Sequence, residues 1–280
     1  MNLTKGEMKM NETPLAFMDS GVGGLTILKP AFAQLPAENT LFFGDEAHLP
    51  YGEKQPQQVI DYSLQIGRFF VQKQAKMMII ACNTASALAL PTLQAELPIP
   101  VLGVVEGGSR AAIQATNNHK IGIIATRATV NSHAYQCAIH QLSSQAEVVE
   151  LACPTFIPLV EQGDYHSERV QQMVIDGLAP LRGSGIDTLV LGCTHFPIIR
   201  DLIQSVMGPT VTLVDPGAET IAEAHQVLER RQLLAQSQHP FHDFYTSSDP
   251  ERFQQVGSQW LNRKVDVQLV TPSQLLSYGN

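Results

Sequence analysis

The sequence predicts an α/β protein built from two similar α/β domains with parallel sheets. Short apolar runs alternate with helical patterns along most of the chain, the pattern of strand–helix–strand units in parallel sheets. The alternation restarts near the middle. Two cysteines, Cys82 and Cys193, occupy matching places, each just after an apolar run and just before a helical pattern. Each thiol is therefore expected at the carboxyl end of a strand, where open parallel sheets hold their ligands. Two such units make two half-sites, with a thiol from each facing one substrate.

In chain order, residues 15–18 read as the first strand, followed by the loop DSGVGG and a helix over 25–32. A strand over 41–43 leads into GDEAHLPYGEKQP and a long helix over about 56–74. Residues 77–81 form the next strand, then Cys82 and a helix ending near Pro98. A strand over 101–105 completes the first set. The second set has strands over 121–125, 148–151, 189–191 and 211–214. Right-handed crossovers place helices on both faces of each sheet. The glycine-rich EGGSR at 106–110 is expected to be the boundary, and DPGAE at 215–219 the return crossing. The domains are then 1–106 plus 216–280, and 107–215. The opening stretch MNLTKGEMKMNETP is polar, so it is expected to be a loose lead without a signal peptide. No apolar run is long enough to span a membrane.

With 280 residues and 44% hydrophobic content, the chain can fill one large domain or two modest ones. The net charge of −8 leaves no basic footprint for nucleic acid. An anionic small substrate stays open, because helix N-termini attract anions locally. The four cysteines, Cys82, Cys137, Cys153 and Cys193, form no CxxC pair, which points to reduced thiols in a cytoplasmic protein.

A lone cysteine is most often a small core hydrophobe. The shared context of Cys82 and Cys193 favours chemistry, and a helix N-terminus is expected to lower each thiol's pKa. Cys137 reads as helical and Cys153 as a strand-end core residue. Asp19 and Ser20 lie in MDSGVGGLT, whose glycines let the backbone approach a bound group. That loop matches neither GxxxxGK[ST] nor GxGxxG. His195 follows Cys193 by two residues; a metal site would need further ligands at suitable spacing, and none is visible. The deaminase pairing of HxE with PCxxC and the GxSxG elbow of hydrolases are also absent. Glu161 ends an apolar stretch, and its plain reading is a solvated carboxylate. Tyr51 and Gly52 read as a turn.

The ordered set MDSGVGGLT, PYGEK, ACNTASA, PTFIPLVE and GCTHFP resembles the glutamate racemases of the aspartate/glutamate racemase superfamily, over roughly residues 15–221. The resemblance implies two α/β domains with the active site in the cleft between them, often as a homodimer. It implies Cys82 and Cys193 as the two acid/base residues, with Asp19 assisting Cys82, and His195 with Glu161 assisting Cys193. Ser20, Tyr51, Gly52, Asn83, Thr84 and Thr194 would bind the amino acid, along with Asp19 and His195; Thr126 is a further pocket candidate. No cofactor and no metal are implied, and the product, D-glutamate, would serve peptidoglycan synthesis in cell-wall biogenesis and cell shape. The chain departs from the usual pattern at Glu46, where Thr is common, at Phe196, often Tyr, and at Glu106 and Gly107. Two alternatives stay open: a racemase of another amino acid such as aspartate, and a non-catalytic topoisomerase-binding inhibitor.

Overall fold

The computed structural model describes residues 9–163, 165 and 167–279. Among them the apolar runs form ten strands: β1 (Leu15–Asp19), β2 (Thr40–Gly44), β3 (Met77–Ile80), β4 (Val101–Gly103), β5 (Lys120–Ala125), β6 (Glu147–Ala152), β7 (Thr188–Gly192), β8 (Thr212–Val214), β9 (His242–Thr246) and β10 (Val267–Leu269). They make two sheets, one in the order β10-β9-β2-β1-β3-β4 and the other in the order β6-β5-β7-β8. Every recorded pairing is parallel. We call each sheet with its flanking helices a lobe.

The strand composition explains the layering. β1, β2 and β3 are buried along their whole length. Successive side chains point to opposite faces. Ala16, Met18, Phe43 and Ile80 therefore enter one apolar cluster, while Leu15, Phe17, Phe42 and Ile79 enter another beneath the opposite helices. A sheet buried on both faces needs such continuous apolar runs. In the second lobe β7 divides the same way, Leu189 and Leu191 to one side and Val190 to the other.

Four features go beyond the sequence expectations. Val104 and Val105 leave the fourth strand and open the helix Val104–Ala115, so the glycine-rich EGGSR lies within a helix. Its glycines serve close packing: a Cβ on Gly108 would lie 3.0 Å from Pro216 Cγ and 3.1 Å from Tyr135. DPGAE likewise opens a helix, Pro216–Arg230, with the Asp215 carboxylate accepting from the Gly217 amide at 2.9 Å. Of the polar lead, residues 1–8 lie outside the described residues, but its end is held: Asn39 Nδ2 donates to Glu12 O and Lys76 Nζ donates to Asn11 O, both at 2.6 Å. The strands β9 and β10, which no clear apolar run announces, extend the first sheet beyond β2. Among the described residues no helix is long and apolar enough to cross a membrane.

Lys76 also donates to Leu233 O at 2.8 Å and pairs with Glu38 at 2.5 Å, the two side chains 1% and 2% exposed. Removing one partner of a buried pair strands the other charge, at a cost of about 3–5 kcal/mol. Glu38→Ala is therefore expected to lower the unfolding free energy by that amount, read as a lower urea midpoint with an unchanged slope, whereas an unchanged midpoint would show that Lys76 finds other compensation.

Candidate active site

The two sheets repeat one topology. In β2-β1-β3-β4 and in β6-β5-β7-β8 the chain starts on the second strand, steps one way, then returns to the other side. Each sheet therefore has a switch point, between β1 and β3 and between β5 and β7, where adjacent strand ends diverge and leave a crevice. Asp19 and Ser20 end and follow β1, and Cys82 stands two residues beyond β3. Thr126 follows β5 and Cys193 follows β7. The two crevices face each other and close on one chamber of about 20 Å³.

Cys82, Cys193, Ser20, Tyr51, Gly52, Asn83, Thr84, Thr194 and His195 all line that chamber, together with Thr126 and three residues that sequence reasoning did not single out, Leu49, Pro50 and Ile157. Asp19 and Glu161 stand behind this wall. The thiols are almost enclosed, 5% and 6% exposed.

Around Cys82 the local sequence sets the geometry. Cys82 is the N-cap of the helix Asn83–Glu96 in extended conformation, which turns its side chain out of the helix toward the chamber. Its Sγ donates to Ser20 Oγ at 3.8 Å. Asp19 Oδ2 accepts from the amides of Gly21 and Gly24 at 3.1 and 3.0 Å, and Thr194 Oγ1 of the other lobe donates to Oδ1 at 3.4 Å. Burial pushes the Asp19 carboxyl up to about 6 despite the His195 charge and these donors. Burial also pushes the Cys82 thiol up to about 12, with the Asp19 charge adding to it; the Ala85 amide and Ser20 only partly oppose. The expectation that a helix start lowers this thiol is therefore corrected, because desolvation outweighs the dipole.

The Cys193 side is built differently. A 3₁₀ turn, Phe196–Ile199, follows instead of an α-helix, so Cys193 caps no helix. His195 Nδ1 lies 3.8 Å from the Cys193 sulfur and His195 Nε2 lies 2.6 Å from Glu161 Oε1. Burial disfavours the imidazolium, but hydrogen bonding to Cys193 and Glu161 wins and raises His195 to about 10. Glu161 is lowered: burial acts against it, and the His195 hydrogen bond prevails. Glu161 thus ends the helix Phe156–Glu161 as a paired carboxylate rather than a solvated one. The departure at Phe196 is accommodated by an edge-on contact with Phe156, ring centroids 5.5 Å apart.

Polar contacts lock the lobes together at the chamber. Thr84 Oγ1 lies 2.9 Å from Thr126 Oγ1 and 3.1 Å from Thr129 Oγ1, and Tyr135 donates to Asn83 Oδ1 at 2.6 Å. That leaves the Asn83 amide donor free of this bond. Tyr51 commits its hydroxyl to Asp45 at 2.6 Å, so it offers the chamber its ring and backbone rather than its O–H. Asp45 is a hub that the sequence reading passed over, also accepting from Ser247 at 2.6 Å. Gly23 has no space for a side chain, since a Cβ there would come within 2.6 Å of Thr194 Oγ1 and 2.8 Å of His195 Cε1. Among the described residues no group of three or more His, Cys, Asp or Glu is arranged to hold a metal.

Comparison with known proteins places this arrangement. The family model of Asp/Glu/Hydantoin racemase matches residues 27–224. The chain belongs to the Asp/Glu/Hydantoin racemase family. Within that family it is 46% identical to a glutamate racemase of Lactiplantibacillus plantarum over 256 residues, 90% of this chain and 93% of the relative. The crystal structure of glutamate racemase isoform RacE1 from Bacillus anthracis superposes with a TM-score of 0.91 at 36% identity, covering 94% of this chain and 98% of that one. A glutamate racemase from Francisella tularensis, solved in complex with D-glutamate, gives a TM-score of 0.88 at 33% identity, covering 96% and 100%.

The Asp19 environment yields a test. A buried carboxyl raised from 3.8 to about 6 costs stability once ionised. The penalty is absent below its unfolded value, grows as pH rises from about 4 to 6, and levels off near 3 kcal/mol, roughly 1.4 kcal/mol per pK unit. Asp19→Asn keeps an acceptor oxygen, so it is expected to be about 3 kcal/mol more stable than the parent at pH 8 and equal to it near pH 3, while its turnover falls. Urea titrations at the two pH values, with activity at pH 8, check this; equal stability at pH 8 would contradict it.

Proposed function

We propose that this chain interconverts L- and D-glutamate by direct proton transfer between the substrate and its two thiols, Cys82 and Cys193. The observation that carries the reading is the pair of thiols at the two switch points, on opposite walls of one chamber. Family membership supports the reaction class, and the names of the relatives support glutamate over aspartate as substrate. The topoisomerase-binding alternative has no feature here that requires it, whereas the charge environment of both thiols is what proton transfer needs.

Removing an α-proton beside a carboxylate and returning one to the other face requires one sulfur as thiolate and the other as thiol. The surroundings separate the two roles. His195, an imidazolium below about pH 10, faces Cys193, whereas Asp19, an anion above about pH 6, acts on Cys82. In the resting enzyme Cys82 holds its proton and Cys193 lies beside a cation, the arrangement for taking a proton from L-glutamate. The reverse reaction needs the opposite state: Cys82 gives its proton to Asp19 and takes the α-proton of D-glutamate, while Cys193, protonated by the His195 imidazolium, delivers a proton to the other face. The Thr84 and Thr126 hydroxyls, once parted from each other, and the Asn83 amide supply hydrogen bonds for the carboxylates, where charge grows in the transition state, while the Thr194 hydroxyl holds Asp19.

The chamber has room for about one water. Glutamate binding therefore needs its walls to part. Leu49, Pro50, Gly52, Thr126 and Ile157 also line an outer cavity of about 770 Å³, which gives the path by which substrate reaches the thiols. Closure then excludes water and strengthens every contact inside. The domain division 1–106 plus 216–280 and 107–215, a homodimer, a cytoplasmic location and supply of D-glutamate for peptidoglycan belong to the same proposal.

Circular dichroism of L-glutamate with dialysed protein and no added cofactor tests the activity, and absence of signal decay would end the proposal. The roles of the thiols separate in partial reactions. Cys→Ser at either site leaves a far weaker acid and base, so racemisation is expected to collapse in both variants. With an analogue that expels a leaving group after proton removal, Cys82→Ser is expected to act on the L form alone and Cys193→Ser on the D form alone. Equal action of both variants on both forms would remove the two-base assignment.

A further inference from the structure

Neither thiol's immediate neighbours explain how the His195–Glu161 pair is held at the lobe boundary. Glu161 Oε1 is taken by His195, and its other oxygen, Oε2, is paired with the guanidinium of Arg252, a residue of the opposite lobe. Arg252 sits in the first turn of the helix Pro250–Leu261, where the Asp249 side chain accepts from its amide at 3.0 Å. The next residue, Phe253, is buried against Phe42 with ring centroids 5.9 Å apart, so the backbone carrying Arg252 is fixed in the first lobe's core. The same guanidinium donates through its second nitrogen to Glu46 Oε2 at 3.2 Å. Glu46 Oε1 in turn accepts from the Val22 amide at 2.9 Å, in the loop that carries Asp19 and Ser20. A continuous polar chain thus runs from the Cys82 side to the Cys193 side: the Val22 amide, Glu46, Arg252, Glu161, His195.

We propose that Arg252 is a positioning residue that bridges Glu46 of one lobe and Glu161 of the other and so fixes His195 beside Cys193 when the lobes are closed. The proposal rests on the reading of Cys193 and His195 as a proton-transfer pair. An exposed ion pair alone is worth little. Here the two carboxylates are mostly enclosed, with side chains 6% and 16% exposed, while the arginine that joins them reaches solvent at 44%. Without the cation, two like charges would face each other across the lobe boundary. Burial, and then the neighbouring Glu161 charge, already push Glu46 up to about 7 with Arg252 in place. The link also gives Glu46 a function: anchored by the Val22 amide, its carboxylate aims the arginine.

Arg252→Gln removes the charge and keeps a polar side chain. Loss of a charge-assisted contact is expected to lower kcat about tenfold, with KM within about twofold and a melting temperature close to the parent's. Arg252→Lys is expected to recover most of the turnover. Because Arg252 acts through Glu161, the double variant Glu161→Gln with Arg252→Gln is expected to be no slower than Glu161→Gln alone. Unchanged turnover in Arg252→Gln, a loss confined to KM, no recovery with lysine, or additive losses in the double variant would each overturn the proposal. The imidazole resonance of His195, assigned with His195→Asn, is expected to shift in Arg252→Gln and to shift less in Arg252→Lys. That readout does not depend on racemisation. An inactive parent would count against the function, whereas an unmoved resonance would count against the bridge.

Discussion

Two buried thiols on one substrate must never be in the same protonation state, and the rest of this structure follows from that constraint. A pair of cysteines in identical surroundings would share one titration and leave no directional preference. The chain starts from near-identical surroundings, because both cysteines stand at switch points of sheets with the same strand order. It then breaks the equivalence with charge. The first sheet places a buried carboxylate, Asp19, near its thiol, and the second places a histidine held by Glu161. The same topology therefore presents one sulfur to an anion and the other to a cation. Burial opposes both charges, so the imidazolium depends on its bonds to Cys193 and Glu161, and the Asp19 carboxylate on its amide donors and the His195 charge.

Holding such opposed charges close together is costly unless every polar atom has a partner. The contacts across the lobe boundary meet that need and also align the half-sites. Asp19 receives two amides of its own loop and a hydroxyl from the other lobe. The threonine cluster of Thr84, Thr126 and Thr129 and the Tyr135–Asn83 bond join the helix after Cys82 to the second lobe. Gly23 allows Thr194 and His195 to pack onto the Asp19 loop. The contacts that cross the boundary tie the alignment of the lobes to the placement of these charges. The lobes also share a packed connection where Arg110 pairs with Glu219 and Glu223 on the helix Pro216–Arg230.

Much of this was legible in the sequence, for identifiable reasons. Strands buried on both faces need continuous apolar runs, and eight of the ten carried an apolar run, including the more exposed edge strand β6. β9 reads His-Asp-Phe-Tyr-Thr and β10 lies at an exposed edge, so neither carries that signal. The helical state of EGGSR was not legible, because glycine in a helix is unfavourable by propensity, and only the neighbouring helix shows why small residues are needed there. The thiols and their proposed partners were singled out from motif and resemblance, and the structure gathers these residues at the chamber or directly behind it. Two things were not readable. The direction of the Cys82 shift depends on three-dimensional burial, which outweighs the helix start visible in the sequence. Arg252 lies 91 residues from Glu161 in an ordinary amphipathic helix, so only folding reveals the contact.

The central claim is that two different sulfurs handle the proton on the two faces of the substrate. Its most direct test is racemisation of L-glutamate in deuterium oxide, stopped early, with the α-position of both enantiomers read by NMR or mass spectrometry. Two bases deliver a solvent-derived deuteron to the new face while the first base returns only the proton it took. The account requires D-glutamate to be deuterated from the first turnovers while the remaining L-glutamate keeps its α-proton. Deuterium appearing equally in both enantiomers from the outset would mean that one base serves both faces, and would contradict the account.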